Sequence, residues 1–183
     1  MKNIVIVYFS GSGHTRLMAE SVQKGAAATE GVHASLLSID GTHIAEGRYR
    51  NEDAFAQLAK ADAIVFGSPT YMGGVAAQFK AFADASVGVW FQQDWKEKVA
   101  GGFTISGSPS GDKLSTLQYL SVFAAQHSMQ WVNTGTLPSD DSVNRLGAWL
   151  GVMGQDANAH GAPASLHSGD VLTAEAYGRR IAE

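Results

Sequence analysis

Ile4-Val5-Ile6-Val7-Tyr8-Phe9-Ser10-Gly11-Ser12-Gly13-His14-Thr15 is an apolar run that turns abruptly into a loop of hydroxyls and glycines. An apolar run without polar alternation predicts a strand covered on both faces, as in a parallel sheet flanked by helices. Beyond the loop, Leu17, Met18 and Val22 recur at helical spacing, so the stretch reads strand, tight turn, helix. The same unit recurs along the chain. Residues 32–39 read as a second strand, 52–60 as a helix, and 61–67 as a third strand closed by Ser68-Pro69. Residues 74–86 read as a helix with Val75, Phe79 and Phe82 on one face, 99–106 as the fourth strand and 114–127 as the fourth helix. Residues 129–135 complete the set as a fifth strand, and 174–182 as a closing helix. Five strands alternating with helices predict an α/β fold, a doubly wound parallel sheet in the order 2-1-3-4-5.

A chain of 183 residues suits a single domain spanning 1–183. Residues 40–51 are polar and irregular, and 137–169 show little periodicity, which predicts an irregular lid or interface segment. The net charge of −4 gives no electrostatic support for a nucleic acid or an anionic membrane as partner. With no cysteine, the chain has no disulfide, thiolate nucleophile, iron–sulfur cluster or cysteine-ligated zinc. No stretch approaches the roughly 18 apolar residues of a membrane span, and the opening run reads as a strand rather than a secretory leader. The expected compartment is the cytoplasm.

In an open α/β sheet, ligands bind beyond the carboxyl ends of the strands where the strand order reverses. Here those are the loops after strands one, three and four. In the first, Gly11 and Gly13 let backbone N–H groups turn inward at a helix amino end, and Ser10, Ser12 and Thr15 add hydroxyl donors around His14. That donor set suits a terminal phosphate. A Walker loop is absent because no Gly-Lys-Ser/Thr follows, and the dinucleotide fingerprint fails at Arg16, where a small residue is required. The second loop, Gly67-Ser68-Pro69-Thr70-Tyr71-Met72-Gly73-Gly74, could face a flat aromatic ligand, although Met72 alone reads as a core residue. The third runs Ser106-Gly107-Ser108-Pro109-Ser110-Gly111-Asp112 and is again rich in hydroxyls and glycine.

Other polar residues carry less. His33, His43, His127, His160 and His167 have no metal-ligand spacing and are expected to be solvated or packed. Asp140, Asp141 and Asp156 read as surface or capping acids, and Trp95, Trp131 and Trp149 as core or interface. Ser108 and Ser110 lie in no nucleophile elbow.

These loops together resemble the flavodoxin-like NAD(P)H-dependent oxidoreductases, most closely the tryptophan-repressor-binding-protein type of NAD(P)H:quinone oxidoreductase. The likeness runs from the first strand through Gly135, and Gly67-Ser68-Pro69-Thr70-Tyr71 is its most specific part. It implies a three-layer flavodoxin-like fold with FMN as cofactor, its phosphate at Ser10, Gly11, Ser12, Gly13, His14 and Thr15. It implies a ring held between Pro69, Thr70, Tyr71, Met72 and Gly73 on one side and Ser106, Gly107, Ser108, Gly111 and Asp112 on the other. By the same likeness Trp90 would line the substrate side, NAD(P)H would be the co-substrate, a quinone the acceptor, and the assembly a homodimer or homotetramer. The chain departs from the family pattern in having Tyr71 and Met72 after Pro-Thr, where arginine and phenylalanine are usual. It also ends its fourth helix on Gln126-His127 instead of a histidine pair. The expected activity is hydride transfer from NAD(P)H through FMN to a quinone or similar acceptor, with no side chain acting as nucleophile. The competing expectation is a flavodoxin-type electron carrier that does not oxidise NAD(P)H itself. Such carriers tend to be strongly acidic, more so than this chain.

Overall fold

β1 (Lys2–Tyr8) leads into α1 (His14–Ala27), and β2 (Val32–Ser38) returns parallel beside it. A 3-10 turn (Gly41–His43) and a small antiparallel pair, β3 (Ile44–Ala45) with β4 (Arg48–Tyr49), precede α2 (Glu52–Ala59). The chain continues through β5 (Ala63–Tyr71), β6 (Gly74–Val75), α3 (Ala77–Ala85) and α4 (Val87–Gln92). It ends with β7 (Val99–Ser106), α5 (Lys113–Gln126), β8 (Gln130–Trp131), β9 (Val152–Gln155) and α6 (Ser168–Ala182). This is a computed structural model, and it describes residues 1–139, 142–157 and 162–183. The expectations for Asp140, Asp141 and His160 fall outside the described residues.

The sheet runs β2-β1-β5-β7 with every pair parallel, the expected doubly wound order. Its fifth position is shared. β8 pairs Val99 and Ala100, while β9 pairs Phe103 through Ser106. The fifth strand is therefore shorter than the expected 129–135, and its second half comes from the segment expected to be irregular. Trp131 Nε1 donates to Leu150 O at 2.7 Å and Thr134 Oγ1 to Gly151 O at 2.9 Å, pinning the detour to its return. That detour is ordered by polar side chains instead of a periodic apolar face. Asn144 Nδ2 donates to Thr136 O at 2.8 Å, and Asn144 Oδ1 accepts from Ala148 N at 2.8 Å.

Alternation along the strands divides the core. Val5, Val7, Ile64 and Phe66 face Leu58, Phe79, Phe82, Leu117, Leu120 and Phe123 on α2, α3 and α5, together with Trp95. Ile4, Ile6, Tyr8 and Val65 face Met18 and Val22 on α1 and Ala174, Tyr177 and Ile181 on α6. Each such fully buried large side chain contributes about 1.5–3 kcal/mol. The first face is an aromatic layer in which Phe66, Phe79, Phe82 and Trp95 each meet Phe123 with ring centroids 5.2–6.4 Å apart. Local signals start α2 where expected. Asn51 Oδ1 accepts from Ala54 N at 3.0 Å, with Glu52 and Asp53 in the first turn. No helix among the described residues is long and apolar enough to cross a membrane.

On the second face α1 and α6 pack through glycines. A Cβ on Gly25 would fall on Glu175 O, and one on Gly178 on Val22 O, so neither helix tolerates a side chain at that crossing. Gly178→Val is expected to cost at least the 1–3 kcal/mol typical of an overpacked core. Gly41→Ala, where a Cβ meets open space, should stay within about 0.5 kcal/mol of wild type. Urea unfolding of the two variants beside wild type checks both values.

Candidate functional site

Register brings the three loops together. β1 ends with Tyr8 opposite Gly67, whereas β5 runs on beside β7 as far as Pro69 opposite Ile105. Pro69 thus lies inside a strand and does not close it, contrary to expectation. Gly67 O accepts from Phe9 N at 3.0 Å, so Pro69, two residues on, turns its missing donor to the side where β1 has already ended.

The first loop presents the amino end of α1. Gly13 is its N-cap at φ 98°, a left-handed conformation that a Cβ would strain, and it offers no side-chain cap. Ser10 Oγ sits inside the loop and accepts from Gly13 N and Arg16 N, both at 3.2 Å. Thr15 is buried. The His14 ring is held at both nitrogens. Its Nδ1 lies 3.0 Å from Ser12 Oγ, and its Nε2 2.9 Å from Asp156 Oδ1. Asp156, expected at the surface, lines the site at the end of β9.

The second loop is a hairpin rather than the start of a helix. Thr70 pairs Val75 and Tyr71 pairs Gly74, which delays α3 to Ala77. Met72 (φ 47°) and Gly73 (φ 80°) are both at positive φ, the mirror-image turn that suits a tight hairpin. Met72 is fully exposed at the tip and Tyr71 half-exposed, which overturns the core reading of Met72. The Tyr71 hydroxyl occupies the space that a Cβ on Gly11 would need, so the second loop lies directly over the first. Below, Thr70 Oγ1 is 2.8 Å from both Thr104 Oγ1 and Thr116 Oγ1, a buried hydroxyl cluster joining β5, β7 and α5.

The third loop turns on Gly111 (φ 53°) and Asp112 (φ 52°). A Cβ on Gly111 would strike Ser106 Oγ. Sequence reading missed the residue that holds this loop. Lys113 is wholly buried, and its Nζ donates to Ser106 Oγ at 2.9 Å and Ser108 O at 2.7 Å. Burial pulls its pKa down to about 8, a fall that nearby Asp170 opposes. Asp170 is itself buried against Arg145, with Arg145 Nη2 2.9 Å from its Oδ2, and it accepts Gln155 N at 2.8 Å. A sequence signal for Lys113 existed. A cation at the first position of a helix opposes the helix dipole and needs a local reason.

The loops enclose a cleft of about 220 Å³ lined by Ser12, His14, Thr15, Pro69, Thr70, Tyr71, Ser106 and Gly107, with Ile105 and Asp156. Ser108 and Asp112 shape the third loop behind it. Trp90 is not part of this wall. It lines a separate depression with Ser86, Phe123 and His127. The cleft offers the amino end of α1 and hydroxyls at one end and the space between the second and third loops at the other.

His127 is buried, bonded to Ser86 Oγ at 2.9 Å and packed on Trp95 and Phe123, and burial drives its pKa down to about 4. The unfolded chain, with a histidine near 6.5, binds this proton first. Stability should therefore rise with pH between about 4 and 6.5 by up to about 1.4 kcal/mol per unit from this group. His127→Gln should flatten that slope by one proton, as measured by urea unfolding at several pH values across the window.

Residues 4–143 match the family model described as NADPH-dependent FMN reductase. Flavodoxin FldP of Pseudomonas aeruginosa is 43% identical over 191 aligned positions, covering 100% of this chain and 96% of that protein. An NAD(P)H dehydrogenase (quinone) of Geobacter sulfurreducens is 34% identical over 69% of each chain. A crystal structure described as a flavodoxin, WrbA-like protein from Agrobacterium tumefaciens superposes with a TM-score of 0.77 at 44% identity, covering 100% of this chain and 96% of that one. The chain belongs to the NADPH-dependent FMN reductase family and has its flavodoxin-like fold.

Proposed function

We propose that this member of the family is an NAD(P)H-dependent FMN oxidoreductase that passes electrons to a quinone or a similar small acceptor. The observation that carries the reading is the convergence of three hydroxyl- and glycine-rich loops on one cleft at the amino end of α1. The residues fit the cofactor. A phosphate monoester needs many donors and a positive field, and the helix end, whose N-cap Gly13 has no side chain, supplies both, with Ser10, Ser12 and Thr15 around it. A flat ring needs backbone that can be approached closely, and Gly107 has open space where a Cβ would stand.

Bound FMN would supply reversible two-electron chemistry, taking up hydride at its N5. The protein's part is binding and electrostatics. Ser12 and Asp156 fix the His14 ring beside the phosphate loop. The Tyr71–Gly74 hairpin covers the site from one side, and the Thr70–Thr104–Thr116 cluster keeps that hairpin in register with β7. Ser106 and Gly107 present the opposite wall. The quinone is supported by the Geobacter relative named as a quinone-linked NAD(P)H dehydrogenase. Homodimer or homotetramer assembly belongs to the proposal, and Val87, Trp90 and Phe91 on α4 are the exposed apolar side chains it would cover. A cytoplasmic site of action is consistent with a chain lacking cysteine.

A second reading has a specific observation behind it, since a relative that matches the whole chain is called a flavodoxin. Anaerobic stopped-flow mixing of the FMN-loaded protein with NADPH, and separately with NADH, separates the two. The enzyme reading predicts bleaching of the flavin band, reversed by a benzoquinone. Tightly held FMN that neither nucleotide reduces would leave the electron-carrier reading standing.

A further inference from the structure

Lys113 is buried in a place that opposes its charge. It opens α5, where the helix dipole repels a cation, and none of its surface reaches solvent. Its ammonium is bonded to a neutral hydroxyl and a carbonyl, and among the described residues no carboxylate lies within ion-pair distance of it. Asp170, the acid that acts on it through space, is held by Arg145. Asp156, on the neighbouring strand end, is held by His14. With Asp170 paired to Arg145 and Asp156 to His14, the Lys113 ammonium is buried beneath the third loop without a direct counter-ion among the described residues. Pinning that loop would require only a neutral donor, so the charge itself demands an explanation.

We propose that Lys113 is the buried counter-charge of the cleft, favouring the two-electron-reduced, anionic form of the cofactor over the oxidised form. The inference rests on the FMN reading above. Nζ is bonded to Ser106 Oγ, and Ser106 forms the cleft wall, so the charge stands one side chain behind the site. Bound FMN would supply two-electron chemistry in which hydride from the dihydronicotinamide would add to the oxidised ring, release NAD(P)+ and give the ring one net negative charge. Lys113 neither gives nor takes a proton in that step. It acts as a positioning residue through its field and through Ser106. With a pKa of about 8 it is mostly protonated at neutral pH. A unit charge within about 10 Å, in a medium of effective dielectric about 20, shifts such an equilibrium by tenfold or more.

The test is anaerobic titration of the FMN-free protein at pH 7 with oxidised FMN and with dithionite-reduced FMN. Wild type should bind the reduced form at least as tightly as the oxidised form. In Lys113→Met and Lys113→Gln the ratio of reduced-form to oxidised-form affinity should fall at least tenfold from wild type, beyond any weakening common to both forms, while Lys113→Arg keeps the wild-type ratio. Equal weakening of both forms would reduce Lys113 to a support for the loop and overturn the proposal. Should the neutral variants not fold, wild type decides alone, because reduced FMN bound tenfold more weakly than oxidised contradicts a counter-charge. Failure of wild type to bind oxidised FMN at all is a different result, and it removes the FMN reading itself.

Discussion

The amino end of α1 carries backbone N–H groups that no carbonyl of the helix can accept. Gly13 brings no cap of its own, Ser10 Oγ accepts only from Gly13 N and Arg16 N, and His14 and Thr15, the first two residues of the helix, line the cleft. Leaving such donors without a strong local partner costs stability, which a ligand phosphate can return. The rest of the architecture serves that helix end. β1 is buried on both faces, so its carboxyl end cannot shift without dislodging Val5 and Val7 from one layer and Ile4 and Ile6 from the other. The β1–β5–β7 register then brings the second and third loops to the same edge.

The interior under the site is more polar than the rest of the core. Thr70, Thr104 and Thr116 share hydrogen bonds out of contact with water, and Lys113 and Asp170 are buried charges. Arrangements of this kind add little to net stability, since desolvation offsets much of the attraction. Their effect is geometric. Methyl groups could fill the same volume but could not fix the mutual position of two loops. Backbone strain is stored at the same edge, where Met72 and Asp112 are non-glycine residues at positive φ.

Much of this was legible in the sequence, for identifiable reasons. Doubly covered strands are unbroken apolar runs, and loops that must approach a ligand use glycine and hydroxyls, so β1, β5, β7 and the cleft wall announced themselves. What stayed hidden depends on partners distant in sequence. β9 follows a detour that is held by Asn144 and Thr134 and has no apolar period. The first turns of α6 contain Gly169, Val171 and Thr173, weak helix formers stabilised by the buried Asp170–Arg145 pair and by Thr173 Oγ1 donating to Gly169 O at 2.6 Å. Pro69 reads as a strand terminator unless β1 is known to stop first. Asp156 joins the site only because β9 ends beside Ser106, whose carbonyl accepts from Asp156 N at 3.1 Å.

The central claim is that the α1 end anchors a phosphate while the other two loops take a ring. Fluorescence titration of the FMN-free protein with FMN and with riboflavin, which share the ring and differ in the phosphate, tests it most directly. The account predicts that FMN binds at least a hundredfold more tightly, a difference of about 2.7 kcal/mol. Equal affinity for the two would contradict it.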